Sequence, residues 1–425
     1  MRVRRHRRKV RESMNKETTN VLIIGKSGVG KSSLLNYIFG REMQEVGVGA
    51  PVTKVEIKEF VYPYDEHFEI HIYDTWGLEP SAQKADQWKK TIFAAIADHD
   101  RKQISDWFNT IIFCLNAKSA RIEDFELDIM SQLLREKNHL TIALTHCRNR
   151  EDPDGITLRE TIKNELRGRG IEPPEDRNFV FVSNVRKKLI GGTVEQFGRE
   201  EILVSIIRNM WGSLKSKVPF QARKKFEELF ERKRAELLKK PDKLHLMVPF
   251  NRMARINRLE REINADCAAF VRDLAAQINA MYKDAVDYYS ELSKKYAIIG
   301  FELRQEDYET SGSARFDALL TVEAQVTADL NLLKERIRFL NDILSDKRVE
   351  STLKDSIINF RVLVRDSKKI RRDLKAELDR YMNAVRQSLE EQLSEIEKRL
   401  AALEIDDLYL TQANLWQSSE EFFDF

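Results

Sequence analysis

Short apolar runs alternate with amphipathic stretches from Asn20 to Trp211, and this alternation predicts strands separated by helices. Val21–Ile24, Val55–Tyr62, Phe68–Tyr73, Thr110–Leu115, Leu140–Thr145 and Phe179–Val182 read as strands. Helical spacing falls on Lys31–Phe39, Gln83–Ala97, Ile122–Arg135, Thr157–Arg167 and Val194–Trp211. Only Pro63–His67 join the second and third strands, too few residues for a crossover helix, so these two should pair antiparallel. The expectation is a three-layer α/β domain around a mostly parallel six-stranded sheet with one antiparallel edge strand.

Beyond Ser213 the pattern changes to long helices with a period near 3.5. One apolar stripe runs through Ile256, Leu259, Ile263, Cys267, Phe270, Leu274, Ile278 and Met281. A second runs from Leu319 through Val322, Val326, Leu330, Leu333, Ile337 and Leu340 to Leu344. A third runs from Ile370 through Leu374, Leu378, Tyr381, Val385, Leu389, Leu393, Ile396 and Leu400 to Leu403. Each would bury one face against another helix, and Glu306–Ala314 reads as a hairpin turn between two of them. A seam looks the same within a chain and between chains, so both an antiparallel bundle and a homo-oligomer fit.

Composition sharpens the division. Of the 16 glycines, 14 lie at or before Gly212, and no proline follows Pro249, so the two halves differ in kind. The expected domains are a basic arm (1–17), an α/β domain (18–212), an all-α, coiled-coil-like bundle (213–412) and an acidic-aromatic tail (413–425). The net charge is +3, yet residues 1–14 carry seven Lys or Arg against one Glu, which leaves the rest of the chain net negative. A basic nucleic-acid-binding body is thereby unsupported; the arm reads as a solvated disordered tail, and any contact with RNA or anionic lipid would belong to it. Cys114, Cys147 and Cys267 are odd in number and far apart, which excludes a disulfide framework and a short-spaced zinc motif. No apolar run approaches the roughly 18–20 residues that span a bilayer, and the expected location is cytoplasmic.

Directly after the first strand stands Gly25-Lys26-Ser27-Gly28-Val29-Gly30-Lys31-Ser32, which satisfies G-x-x-x-x-G-K-[ST] and runs into a helix, with Ser33 next. Glycines at those places let main-chain N–H groups turn toward phosphate oxygens, and the helix start adds partial positive charge. Lys31 is expected on the β and γ phosphates and Ser32 on Mg2+.

The order of motifs over residues 18–212 resembles the translation-factor-related (TRAFAC) class of P-loop GTPases, in the branch of the Era-like and septin-like proteins. In Gly47-Val48-Gly49-Ala50-Pro51-Val52-Thr53-Lys54, Thr53 matches the first switch threonine, whose hydroxyl and carbonyl would meet Mg2+ and the γ-phosphate. Asp74-Thr75-Trp76-Gly77 matches D-x-x-G. The resemblance implies that Asp74 holds the metal through water and that the Gly77 amide senses the γ-phosphate. Thr145-His146-Cys147-Arg148 stands where the family reads its base with [NT]-K-x-D, and Ser183-Asn184 matches the last base-contacting loop.

Two departures shape the expectation. Leu78 stands where Ras-like proteins orient water with glutamine, so slow intrinsic hydrolysis is expected. Arg148 replaces the carboxylate that accepts two hydrogen bonds from guanine, and a guanidinium accepts none. Asp152 and Asp154 are the nearby carboxylates that a remodelled loop would use. GTP and GDP are the favoured ligands, with ATP as the alternative.

Weaker features remain. His67 and His71 lie on one face of a strand, with a metal as the alternative to a surface or packing role. Leu244–Phe250, flanked by lysines and arginines, reads as a kink between helices or as a membrane-touching tip. Glu420–Phe425 reads as a frayed tail or a docking peptide. The leading expectation is a Mg2+-dependent nucleotide switch whose helical half drives oligomerisation or partner binding, dynamin-like in architecture. The alternatives are a nucleotide-binding scaffold with little turnover and an Era-like, ribosome- or RNA-associated GTPase.

Overall fold

A computed structural model describes residues 17–39, 44–48, 57–63, 68–75, 82–119, 121–184, 187–189, 192–243, 252–310 and 367–402. The described residues divide into two compact units. The first comprises those up to Lys217 together with Tyr288 and the residues after it in the same helix; the second comprises Val218–Asp287 and Ser367–Ala401.

The first unit is built on strands β1 (Glu17–Gly25), β2 (Gln44–Val48), β3 (Ile57–Pro63), β4 (Phe68–Thr75), β5 (Phe108–Asn116), β6 (Leu140–Thr145) and β7 (Phe179–Phe181), in the order β2-β3-β4-β1-β5-β6-β7. The pairings β1–β4, β1–β5, β5–β6 and β6–β7 are parallel, and β3 runs antiparallel to both β4 and β2. All six expected strands are present, with β3 as the antiparallel member. Strand β2 adds a seventh beyond it.

Burial explains why the central strands read as unbroken apolar runs. Val21, Leu22, Ile23 and Ile24 are wholly buried, as are all residues of β6, because a parallel strand between two helical layers has no solvent face. In β4, next to the antiparallel edge, burial alternates along most of the strand.

The helices of this unit are α1 (Lys31–Phe39), α2 (Ala82–Asp100), α3 (Asp124–Arg135), α4 (Pro153–Gly168) and α5 (Arg199–Lys215). Glu123 and Glu126 form a reciprocal capping box on α3, and Asp152 caps α4 ahead of Pro153. The last helix was expected from Val194 but begins at Arg199. Val194 instead ends a small hairpin of β8 (Lys187–Leu189) and β9 (Gly192–Val194). Gly198, at φ 98°, then turns the chain into α5, where a Cβ would stand 2.5 Å from the Phe181 carbonyl oxygen.

In the second unit, α6 (Lys217–Leu238), α7 (Arg252–Thr310) and α8 (Ser367–Ala401) supply the packing helices. Arg223 binds Glu397 through two 2.9 Å hydrogen bonds, and Arg386 reaches Glu227 at 2.7 Å, fixing α8 against α6.

The stripes differ from expectation in period. Val271, Tyr282 and Met382 are buried where the 3.5-residue reading placed Phe270, Met281 and Tyr381, which are only partly buried. Buried positions recur every eleven residues, as in Ile256, Cys267 and Ile278 or Leu374, Val385 and Ile396. That spacing follows the natural turn of a straight helix more closely than a heptad does. Helix α7 also continues through Thr310, so the first part of Glu306–Ala314 is helix and not turn; residues 311–314 lie outside the described residues. Among the described residues no helix is long and apolar enough to cross a membrane.

Candidate functional site

The loop between β1 and α1 takes its shape from three glycines with positive φ: Gly25 (150°), Gly28 (78°) and Gly30 (94°). At Gly25 the reason is proximity: β1 lies so close to β5 that a Cβ would stand 2.6 Å from the Cys114 carbonyl oxygen. At Gly30 a Cβ would stand 3.2 Å from Asn184 Nδ2 and 3.6 Å from His146 Nε2. A backbone wound this way aims successive N–H groups inward, and α1 starts at once, with Leu34 N donating to Gly30 O at 2.8 Å.

Lys31 is buried and donates from Nζ to the carbonyls of Gly25 and Lys26, both at 2.9 Å. Burial pulls its ammonium pKa down, and the neighbouring Cys114 and Asp74 oppose that shift. Asp74 lies near the end of β4, level with Ile23 of β1. Burial pushes its carboxyl up, opposed by the charges of Lys31 and Lys58. Its Oδ1 is buried without a hydrogen-bond partner among the described residues. Ser32 and Ser33 are exposed in the first turn of α1. A hydroxyl on one side and an unsatisfied carboxylate oxygen on the other form a hard-oxygen donor set that fits Mg2+. Cys114 is wholly buried and its thiol is pushed up to about 12, which removes it as a nucleophile.

The side chain of Lys26 turns to α3, where Nζ lies 2.6 Å from Glu123, 3.1 Å from Glu126 and 5.1 Å from the centre of the Phe125 ring. Lys26 therefore offers the loop its main-chain amide, while its ammonium holds the loop to α3. Glu126 is almost fully buried, and burial raises its carboxyl pKa against the lowering effect of the hydrogen bond from Glu123 N and of Lys26. This tie has no signature in the sequence, because the partners lie almost a hundred residues apart.

Two further loops converge on the phosphate loop. Thr145 donates to Val29 O at 2.6 Å and to Leu115 O at 3.1 Å, and Asn184 donates to Gly30 O at 3.1 Å. His146 takes a left-handed backbone, φ 62°, that carries its ring toward Gly30. Ser183 pairs with Phe197, and Gln196 donates to Asn184 O at 2.9 Å, so the second loop is fastened from behind.

Arg148 is turned to Asp152, which accepts from its main-chain N at 2.7 Å, from Nε at 3.1 Å and from Nη2 at 3.2 Å. Lys118 adds a bond to Asp152 at 2.9 Å and one to Asp154 at 2.7 Å. Burial raises the Asp152 carboxyl, but the hydrogen bonds from Arg148 and Lys118 outweigh it and hold the group well below the usual range. Asp152 also accepts from Asp154 N at 3.1 Å as the helix cap. It therefore has no capacity left for a base, which corrects the expectation that it could replace the missing carboxylate. Lys118, invisible as a motif residue, is what closes this cluster.

His71 Nδ1 lies 3.0 Å from Glu59, which also accepts from Tyr73, so this histidine belongs to a hydrogen-bonded strand face. No group of three His, Cys, Asp or Glu among the described residues could hold a metal ion. Thr53, Gly77, Leu78, His67, the Leu319–Leu344 stripe, Leu244–Phe250, residues 1–16 of the basic arm and Glu420–Phe425 lie outside the described residues, whereas Glu17, placed in the arm, begins β1.

Residues 20–146 match the family described as 50S ribosome-binding GTPase. The chain is 26% identical over 195 residues to GTPase Der of Novosphingobium aromaticivorans, covering 44% of this chain and 38% of that protein. It is 27% identical over 186 residues to tRNA modification GTPase MnmE of Coxiella burnetii, covering 39% of this chain and 38% of that one. The chain thus spans well under half the length of these curated relatives. Among solved structures, the G domain of the T. maritima FeoB iron transporter matches at 20% identity over 45% of this chain and 98% of that chain, with a TM-score of 0.29. The phosphate loop, the strand order and the family match together identify residues 20–146 as part of a P-loop GTPase G domain.

Proposed function

We propose that the chain is a Mg2+-dependent nucleotide switch that binds GTP and hydrolyses it slowly, with the helical region driving oligomerisation or partner binding. The observation that carries this reading is Lys31: a buried ammonium held by two loop carbonyls, beside a half-buried carboxylate, Asp74, whose Oδ1 is buried and unsatisfied. Phosphate oxygens compete well for such a cation, because its present partners are neutral carbonyls.

In this reading the amides from Gly25 to Ser33 cradle the phosphates and Lys31 contacts the β and γ groups. Ser32 and Thr53 bind Mg2+ directly, and Asp74 does so through water. The bound metal supplies charge neutralisation on the phosphate chain. Thr53 and the Gly77 amide respond to the γ-phosphate, and the segments carrying them rearrange when it leaves. Catalysis rests on positioning and charge, and with Leu78 in the water-orienting position the intrinsic rate is low. Thr145, His146, Arg148, Ser183 and Asn184 surround the base, with His146 as its stacking partner. Titration calorimetry with GTP, GDP and ATP in Mg2+ tests this: GTP should bind, and Lys31→Ala should abolish binding. Absence of affinity for any purine triphosphate would overturn the proposal.

A second reading, a nucleotide-binding scaffold with little turnover, draws on Leu78 and on the engagement of Arg148 with Asp152. Phosphate release measured across protein concentrations separates the two. Turnover that rises with concentration and vanishes in Lys31→Ala supports the switch, and tight binding without release supports the scaffold. A third reading, ribosome attachment through residues 1–13, draws on the description of the matching family. It requires a salt-sensitive association that is lost on deleting those residues.

A further inference from the structure

A cleft opens on the flank of the first unit, lined by none of the phosphate-loop residues. A cleft of about 280 Å³ is lined by Lys89 of α2, by Asp128, Ser131, Gln132 and Arg135 of α3, and by Arg169 at the end of α4. Three of the six residues are cations and one is a carboxylate. That carboxylate is already neutralised: Arg169 pairs with Asp128 through Nη1, and with Asp124 through Nη2 at 3.0 Å. Lys89 and Arg135 have no ion-pair partner among the described residues, so positive charge remains in excess even with Asp124, which shares Arg169, counted against it.

The second observation is Ser131. Its residue is only 3% exposed, it lines the cleft, and its Oγ is buried without a hydrogen-bond partner among the described residues. A buried hydroxyl is costly to leave unsatisfied, and here it lines the cleft with Arg135 of its own helix and Lys89 of α2. Gln132 gives its amide N–H to Glu136 at 3.0 Å, which keeps the Glu136 carboxylate engaged on the helix surface. A hydroxyl donor between a lysine and an arginine is a donor set for a tetrahedral oxyanion, and arginine in particular matches two phosphate oxygens at once. With roughly 30 Å³ per water in the liquid, the cleft admits an ion of pyrophosphate size together with some of its hydration.

We infer that this cleft binds a small, soluble phosphate-class oxyanion through Lys89, Arg135 and the Ser131 hydroxyl. None of its residues belongs to the phosphate loop or to the loops at Thr145–Arg148 and Ser183–Asn184, so the site is separate from the nucleotide.

The test uses the full chain carrying Lys31→Ala, so that the phosphate loop does not take the probe, and titrates it calorimetrically with pyrophosphate in metal-free buffer at 0.1 M ionic strength. Saturable one-to-one binding is expected. Lys89→Ala and Arg135→Ala should each weaken it about tenfold, and Ser131→Ala severalfold, whereas Lys89→Arg should retain it. Lys89 and Arg135 are not core residues, so circular dichroism and melting of those variants should match the parent. Absence of saturable binding, or affinity unchanged in both Lys89→Ala and Arg135→Ala, would overturn the inference.

Discussion

The hydroxyl of Thr145, at the end of β6, donates to the carbonyl of Val29, in the middle of the phosphate loop, at 2.6 Å. The same oxygen reaches Leu115 O of β5 at 3.1 Å, so one side chain ties two strand ends to the loop. The glycine loop and the end of β6 are therefore mechanically one piece: a change at Thr145 reaches the glycines without touching them.

Thr145→Val keeps the β-branched shape and removes the donor. Two buried carbonyls lose a partner, which should cost about 1–3 kcal/mol in unfolding free energy. Calorimetry should show weaker nucleotide binding as well, since Val29 is no longer held. Unchanged denaturant midpoints would contradict this role.

The glycines of the loop should separate sharply on substitution. Gly25→Ala puts a Cβ 2.6 Å from the Cys114 carbonyl oxygen, at a backbone atom that cannot step aside. Gly28→Ala meets nothing within 4 Å and suffers only from its φ of 78°, worth about 1–2 kcal/mol. Urea denaturation should therefore find Gly25→Ala well below Gly28→Ala in stability.

Asp152 should set part of the acid limb of stability. Its carboxyl is held below its value in the unfolded chain, near about 3.9, so its contribution is complete above that pH and is lost as the pH falls from there through the depressed value of the folded state. Asp152→Asn should lose stability at neutral pH, by less than the break of a fully buried pair because the Arg148 and Lys118 side chains are open to solvent. Its stability should also fall less steeply below pH 4 than that of the parent. Equilibrium unfolding at a series of pH values measures both effects.

The tie between Lys26 and Glu126 is best read from a double-mutant cycle. Lys26→Met leaves a nearly buried carboxylate of α3 without its cation, and Glu126→Gln removes the charge that needed one. The pair should show a coupling energy of about 1 kcal/mol or more, measured by chemical denaturation.

The strands of the G domain were legible because parallel strands buried on both faces become unbroken apolar runs, as in Val21–Ile24 and Leu140–Thr145. The phosphate loop was legible because its chemistry needs glycines at fixed spacing. The hairpin of β8 and β9 was not: three-residue strands carry no period, and the helical pattern that follows ran back over Val194. The fate of Arg148 was hidden for another reason. The motif position showed a missing acceptor, but that its guanidinium turns to Asp152, with Lys118 from 34 residues earlier closing the cluster, is a matter of tertiary packing. In the helices the choice between Phe270 and Val271, or Tyr381 and Met382, rests on a rotation of one residue, and two adjacent apolar side chains leave that choice to the packing.

The eleven-residue recurrence in α7 and α8 limits how these helices can change length. An insertion of eleven residues, or of seven, leaves the buried face within about 20° of the side it left, whereas one or two swing it far out of register. Homologous chains should accordingly differ here by about seven, eleven or eighteen residues more readily than by one or two, and a loss of two or three residues should be rare.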